Sequence, residues 1–317
     1  MKFRSLLCLL AIGVGGVLPA AAKKERDSTI RVLIVDGFSN HDWQQTTSLL
    51  QGILQAAGGF EVSVSTMPAM GSDAWSAWRP RFADYDVVIQ TCNDYGDNGL
   101  LEGVKQSPEW PPEVKTDFEE YVRRGGGVYI FHAAENAFMG WKGYEDMVGL
   151  SWRPTGYGTA VQVSSLGTVD RIAPSETHAT GHGQRGDVLV TRLGEDPIHL
   201  GMPPQWMSAD LEVYYYAQGP ADHLHVLAFA RDSDPKLGML WPVEWTTEYG
   251  KGRVYVSTYG HVWPGDVQPA SLRDAAVQTI IPRALEWLAR RPVNYPVPPD
   301  FPTADAVSVR PAIAAPK

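Results

Sequence analysis

Three of the eight histidines follow directly on apolar runs. His41 comes after residues 30–36, His132 ends the run 128–131, and His261 follows 253–258. Imidazole changes charge near neutrality, so such residues exchange protons or, when neutral, ligate a divalent metal. Amides and carboxylates stand close by: Asn40 and Asp42 beside His41, Glu135 and Asn136 after His132, and Glu212 in a separate polar stretch. Gathered at one place, these groups suit proton abstraction next to a carbonyl, isomerisation, or cleavage by elimination. A divalent metal, zinc first among the candidates, would polarise the same carbonyl if His132 and His261 held it with His41 or Glu212 completing the shell. The metal-free alternative has His41 capping a helix, His132 bonded to local backbone, and His261 acting as a lone base.

These residues meet only if the elements ahead of them run parallel. Residues 30–36 read as a buried strand. Trp43, Thr47, Leu50, Ile53, Leu54 and Ala57 then recur at helical spacing, stopped by Gly58-Gly59. Residues 60–64, 84–90 and 128–131 read as further strands. Pro111-Pro112 opens a helix through Val114, Phe118, Tyr121 and Val122, closed by Gly125-Gly126-Gly127. Strands alternating with helices predict an α/β fold with a doubly wound parallel sheet, whose ligands bind beyond the carboxyl ends of the strands. The second half is less regular. Runs at 160–163, 188–191, 212–216, 224–229 and 243–246 predict short strands and loops added to the sheet's edge and rim, and 253–258 the last core strand. A helix over about 271–290 contains Pro282, which predicts a kink or a broken start. The tail from 292 to 317, rich in Pro and Ala, is expected to be extended or disordered.

Several stretches then resemble ThuA-like (trehalose-utilisation) proteins. They are Asn40-His41-Asp42-Trp43, the glycine triplet leading to Phe131-His132, and Leu211-Glu212-Val213-Tyr214. The most specific runs from Pro242-Val243-Glu244-Trp245 through Gly250-Lys251-Gly252-Arg253-Val254 to Gly260-His261. The resemblance covers about 30–290. It implies a flavodoxin-like, class I glutamine amidotransferase-like scaffold with extra edge strands and loops, forming one domain over 23–291. It also implies a part in using disaccharides, including oxidised 3-keto sugars. Two departures stand out. The family's His-Pro is Asp196-Pro197 here, ahead of Gly201-Met202-Pro203, and Leu211 replaces the first residue of an Asp-Glu-Leu-Tyr stretch. Glutamine amidotransferases need a thiolate on a sharp strand-to-helix elbow. His132 occupies that region and no Cys or Ser follows within two positions, so glutamine hydrolysis is not expected. Cys92, at the end of an apolar strand, reads as a small buried hydrophobe rather than a nucleophile.

The catalytic candidates are therefore His41, His132, Glu212 and His261, with the three histidines as the metal set. Asn40, Trp43, Glu135, Trp141, His182, Tyr214 and Trp263 are candidate substrate contacts, and Trp152 is a further rim aromatic. Flat rings stack on sugar faces, although most aromatics serve packing. His178 and His182 have the spacing of a helical metal pair, but Gly181 and Gly183 argue against a helix there. The resemblance places a Thr-Gly-His-Gly segment in the family, so His182 is expected to face the crevice from a loop. No function is assigned to His199, His223 or His225.

Lys2 and Arg4, an apolar stretch over 6–18 and Ala20-Ala21-Ala22 form the pattern of a cleaved signal peptide, residues 1–22, and predict a periplasmic or secreted protein. Its removal changes 27 basic against 36 acidic residues to 25 against 36, a net charge near −11. Beyond Lys23-Lys24-Glu25-Arg26 no basic cluster exceeds Arg123-Arg124 or Arg290-Arg291, which argues against nucleic acid. No later run suits a membrane span, and Cys92 alone remains, so no internal disulfide is expected. A small carbohydrate is the expected partner, no nucleotide cofactor is expected, and a homo-oligomer is left open. Three readings remain: a carbohydrate-active enzyme (hydrolase, lyase or isomerase), a non-catalytic sugar-binding or accessory protein, and a zinc hydrolase of another substrate class. Imidazoles converging within ligand reach favour an enzyme, and imidazoles each tied to local backbone favour a binder.

Overall fold

A computed structural model describes residues 29–94, 107–233 and 239–315. The signal-peptide segment, residues 1–22, lies outside the described residues. The first half comprises β1 (Ile30–Asp36), α1 (Trp43–Ala57), β2 (Phe60–Thr66), α2 (Asp73–Ala77), β3 (Val87–Gln90), α3 (Pro112–Arg123), β4 (Gly127–Phe131) and α4 (Lys142–Val148). Strands dominate the second half: β5 (Thr159–Val163), β6 (Val169–Ile172), β7 (Gly181–His182), β8 (Gly186–Arg192), β9 (Gln205–Leu211), β10 (Tyr214–Tyr215), β11 (Gln218–Gly219), β12 (His225–Arg231), β13 (Leu240–Tyr249) and β14 (Gly252–Ser257). Two helices, α5 (Ala270–Arg273) and α6 (Ala275–Leu288), close the domain.

The strands in the order β2-β1-β3-β4-β14 are all parallel. β3, β4 and the inner part of β1 and β14 are buried, which is why their sequences are near-continuous apolar runs. Beyond β14 the sheet turns antiparallel through β13, β12, β8 and β9. β5, β6 and β11 form an antiparallel flap that joins β13 where Leu240 pairs with Val163. One core lies between the sheet and α1 and α6, the other under α3 and α4. Among the described residues no helix is long and apolar enough to cross a membrane.

Local chemistry sets the ends of the elements around the site. Asp42, not His41, caps α1, its Oδ1 accepting Gln45 N–H at 3.0 Å. That leaves the His41 ring free for another partner. The C-terminal helix breaks at Asp274 rather than at Pro282, which lies inside α6. Buried Asp274 caps α6 through Ala276 N–H at 2.9 Å and also accepts from Ser208 and Ala209 on β9. The expected strand over 212–216 is not continuous. Asp210 and Tyr216 adopt positive φ of 55° and 53°, which turns the chain out of the sheet and leaves only the two-residue β10, paired with β7. The described part of the tail, 292–315, is extended as expected but docked. Phe301 packs on Trp206 at 5.8 Å, the Thr303 carbonyl accepts Met207 N–H, and Ile313 exchanges two hydrogen bonds with the Gln268 side chain.

The Asp196-Pro197 departure builds a buried polar brace. Asp196 accepts Ile198 and His199 backbone N–H groups, and its Oδ2 lies 2.8 Å from His199 Nδ1. His199 Nε2 lies 3.0 Å from Glu244 Oε2, and Tyr255 and Tyr259 donate to the same carboxylate. Burial opposes charge on His199, yet Glu244 and then the Asp196 and Glu244 hydrogen bonds outweigh it and raise its pKa to about 10. A folded-state pKa above the unfolded value of about 6.5 gives stability that is full below about pH 6.5. That stability is lost as pH rises towards 10. The difference in unfolding free energy between the wild type and His199→Gln is therefore expected to shrink steadily across this range in urea titrations. A difference independent of pH would mean that His199 is neutral in the folded protein.

Candidate active site

Beyond the carboxyl ends of β1, β3, β4 and β14 lies a cavity of about 260 Å³. Asn40, His41, Asn93, Glu135, Asn136, Trp152, His182, Glu212, Tyr214, His261 and Trp263 line it. His132 borders it through Tyr214 and the other two rings. The short pair β7–β10 brings His182 and Tyr214 to the same place.

His132 stands where β4 passes into a 3-10 turn, His132–Asn136, and its φ is 50°. That conformation is uncommon for a residue with a Cβ. Its Nδ1 lies 2.7 Å from the Thr258 carbonyl oxygen just past β14. A carbonyl oxygen only accepts, so Nδ1 carries the proton and Nε2 presents a lone pair. His41 is held in the same sense, its Nδ1 2.7 Å from Asn40 Oδ1, which also accepts Asn93 Nδ2–H at 2.5 Å. His261 is reversed. The Arg185 guanidinium donates to its Nδ1, which puts the proton on Nε2, 3.3 Å from Glu212 Oε1.

The ring centroids are 5.0 Å apart for His41 and His132, 4.8 Å for His41 and His261, and 5.2 Å for His132 and His261. Each ring offers a nitrogen within 4.8 Å of the others'. Burial, reinforced by the other imidazoles and Arg185, pushes His41 down to about 3 and His132 well below the usual range. Burial, then His132 and Arg185, take His261 to about 2. All three are neutral at neutral pH, the state that ligates metal or takes a proton. Glu212 sits among them, with Oε1 3.6 Å from His182 Nε2 and Oε2 3.4 Å from the Tyr214 hydroxyl. That hydroxyl is also 3.4 Å from His132 Nε2. Burial raises the Glu212 pKa against the pull of His182 and Arg185.

Of the residues singled out by sequence, Asn40, Glu135, His182, Tyr214 and Trp263 line the cavity with the histidines and Glu212. Trp263 forms the rim, 48% exposed and stacked on His261. Trp152 meets His182 and Tyr214 edge-on. Trp43 lies in a small recess behind His41 and His132 instead of the main cavity. Trp141 does not line this cavity: it packs with Phe118, Phe138 and Tyr144 beneath α3 and donates to Glu119 at 2.7 Å. The His178–His182 spacing builds no metal pair, because the segment is not helical and His178 packs on Tyr216. Asn93 and Arg185 were not anticipated. Asn93 could have been, since it lies just past β3 and obeys the strand-end argument that located the histidines. Arg185 carried no such signal. It is held over the site by Asp210 and Asp266, both at 2.9 Å.

A sequence profile of the family described as ThuA, trehalose utilisation, matches residues 31–288. The chain belongs to this family. A ThuA-like protein from Parabacteroides merdae ATCC 43184 superposes with a TM-score of 0.79 at 29% identity, over 89% of this chain and 98% of that one. A ThuA-like protein from Bacteroides uniformis ATCC 8492 gives 0.49 at 16% identity, over 85% and 95%. A glutamine amidotransferase from Thermotoga maritima gives 0.39 at 11%, over 73% and 75%. No functionally curated protein matches. In this ThuA chain the strand-to-turn elbow carries His132, and Cys92 is fully buried with Sγ 3.9 Å from the Val35 carbonyl. Burial pushes the Cys92 thiol up, away from the reactive thiolate. In the native protein Cys92 is expected to give no reaction with a thiol reagent at neutral pH, and to react fully after unfolding. Rapid labelling of native Cys92 would contradict this environment.

Proposed function

We propose that this ThuA-family chain is a carbohydrate-active enzyme that moves protons next to the carbonyl of an oxidised disaccharide, a 3-keto sugar in the first instance. The observation that supports it most is the convergence of three neutral imidazoles, a buried carboxylate and a tyrosine hydroxyl on one cavity edged by Trp152 and Trp263. A keto group acidifies the neighbouring C–H, so a base of moderate strength can begin the reaction. Glu212 is that base: desolvation strengthens it, and the His182 and His261 rings hold it in place. Tyr214 supplies a hydroxyl proton near the same point.

The donor set also fits a divalent ion. His41 and His132 present Nε2 lone pairs with Nδ1 fixed, and oriented neutral imidazoles are good zinc ligands. His41, His132 and His261 would hold the ion, the last on releasing Arg185 or Glu212. Bound there, it would polarise a carbonyl oxygen of the sugar. The non-catalytic sugar-binding reading draws on the bond that ties His132 to backbone.

Turnover of 3-ketotrehalose is the expected activity. Glu212→Gln should lower kcat by roughly 10²–10⁴-fold with little change in KM. Equilibrium dialysis should find zinc on the wild type and none on the His132→Ala, His261→Ala double variant. Unchanged kcat in Glu212→Gln would refute its role as base, and a sugar that binds without turnover would favour the binder. We also propose export, on the strength of the N-terminal residues. Sequencing of the mature protein should begin near Lys23, and an intact Met1 on the soluble protein would oppose it.

A further inference from the structure

Two buried oxygens of cavity-lining residues have no hydrogen-bond partner among the described residues: Glu135 Oε1 and Asn93 Oδ1. Their residues are 1% and 2% exposed. A buried polar atom left unpaired is unfavourable and rare in folded proteins, so two at one cavity call for something that satisfies them.

The neighbours decide what each oxygen wants. Asn93 Nδ2 donates to Asn40 Oδ1, which already accepts from His41 Nδ1. With Asn40 Oδ1 accepting from both groups, Asn93 Nδ2 is the donor and its Oδ1 remains an acceptor. Glu135 Oε2 accepts Trp152 N–H at 2.6 Å. Arg153, whose charge favours the ionised form, gives its terminal N–H groups to Asn136, Trp152, Ala137 and Glu145, and none of them reaches Glu135 Oε1. Burial therefore prevails over Arg153 and raises the Glu135 carboxyl to about 8. The group is mostly protonated at neutral pH. With Oε2 accepting from Trp152, the proton falls on Oε1.

We propose that Glu135 and Asn93 are specificity-determining residues that read two oxygens of a neutral polyhydroxylated ligand, Glu135 Oε1 donating to a carbonyl or hydroxyl oxygen and Asn93 Oδ1 accepting from a hydroxyl. This rests on the sugar reading above and adds to it which residues recognise the sugar. Charged ligands fit the pair poorly. A phosphate offers Asn93 Oδ1 only further acceptors, and a cation gains little from a protonated carboxyl. A hydroxyl or hydroxy-carbonyl edge supplies both partners.

The backbone aligns recognition with chemistry. Glu135 is three residues after His132 in a 3-10 turn, and three residues per turn puts both side chains on one face. Asn93 reaches His41 through Asn40, so the group that accepts the sugar hydroxyl also belongs to the chain that orients a reacting imidazole.

Calorimetric titration with trehalose and 3-ketotrehalose tests the pair. Glu135→Gln keeps an N–H donor in place of the O–H and is expected to bind like the wild type. Glu135→Met and Asn93→Leu, which leave one ligand group unpaired, should each bind about tenfold more weakly. Wild-type affinity in both apolar variants would overturn the proposal. A wild type that binds neither sugar would overturn it together with the sugar reading. A sugar that binds but is not turned over, with the expected pattern among the variants, would sink the enzyme reading alone. Infrared difference spectra of wild type against Glu135→Gln give a measure that needs no ligand. A protonated-carboxyl band at neutral pH, lost as pH rises past about 8, supports the donor role. A Glu135 carboxylate ionised at neutral pH contradicts it.

Discussion

The hydrogen bond from His132 Nδ1–H to the Thr258 carbonyl oxygen is the constraint on which the cavity depends. It spans the ends of two adjacent parallel strands, β4 and β14, whose register pairs Ser257 with Phe131. It holds a residue with a Cβ at positive φ, a conformation that persists only where the surroundings over-determine it. It also selects the tautomer, and so leaves Nε2 facing His41, His261 and Tyr214. Without it the ring has no fixed direction, and the other two imidazoles lose the centre they converge on.

Fixing one ring is not sufficient, and the remaining contacts extend the same device. Asn40 directs His41, and Asn93 directs Asn40. Arg185, itself clamped between Asp210 and Asp266, directs His261 in the opposite sense so that its Nε2–H faces Glu212. The result is a low-dielectric pocket with neutral imidazoles and a carboxylate held above its ordinary pKa. Such perturbation gathered in one cleft is what proton chemistry requires. The scaffold is that of the ThuA family, and its strand-to-turn elbow presents the His132 imidazole rather than a thiol. The chemistry therefore has to be read from the site rather than from the fold.

The parallel half of the fold was legible because its inner strands β1, β3, β4 and β14 are buried and appear as apolar runs of the right length, while β2 at the edge shows a strand's alternation. The same legibility located His41, His132 and His261, since a residue just past such a strand sits at the ligand-binding edge. The antiparallel half was harder. β6 is largely exposed and carries Asp170 and Arg171, which masks its strand character. The stretch 212–216 has the Val and Tyr content of a strand, but positive φ at Asp210 and Tyr216 breaks it. Trp141 shows the limit of composition: a tryptophan near the rim in sequence found an apolar cluster nearer than the cavity. Arg185 was invisible because its place depends on two aspartates from distant segments, and the tail's docking because Phe301 and Ile313 reveal their partners only in three dimensions.

His41 and His132 are neutral rings with Nδ1 tied down and Nε2 turned into the cavity. Nitrogen-15 NMR of the imidazoles in metal-free protein near neutral pH tests it most directly. His41 and His132 should show the Nδ1–H tautomer and His261 the Nε2–H tautomer. A protonated His132, or a His132 with its hydrogen on Nε2, would contradict it.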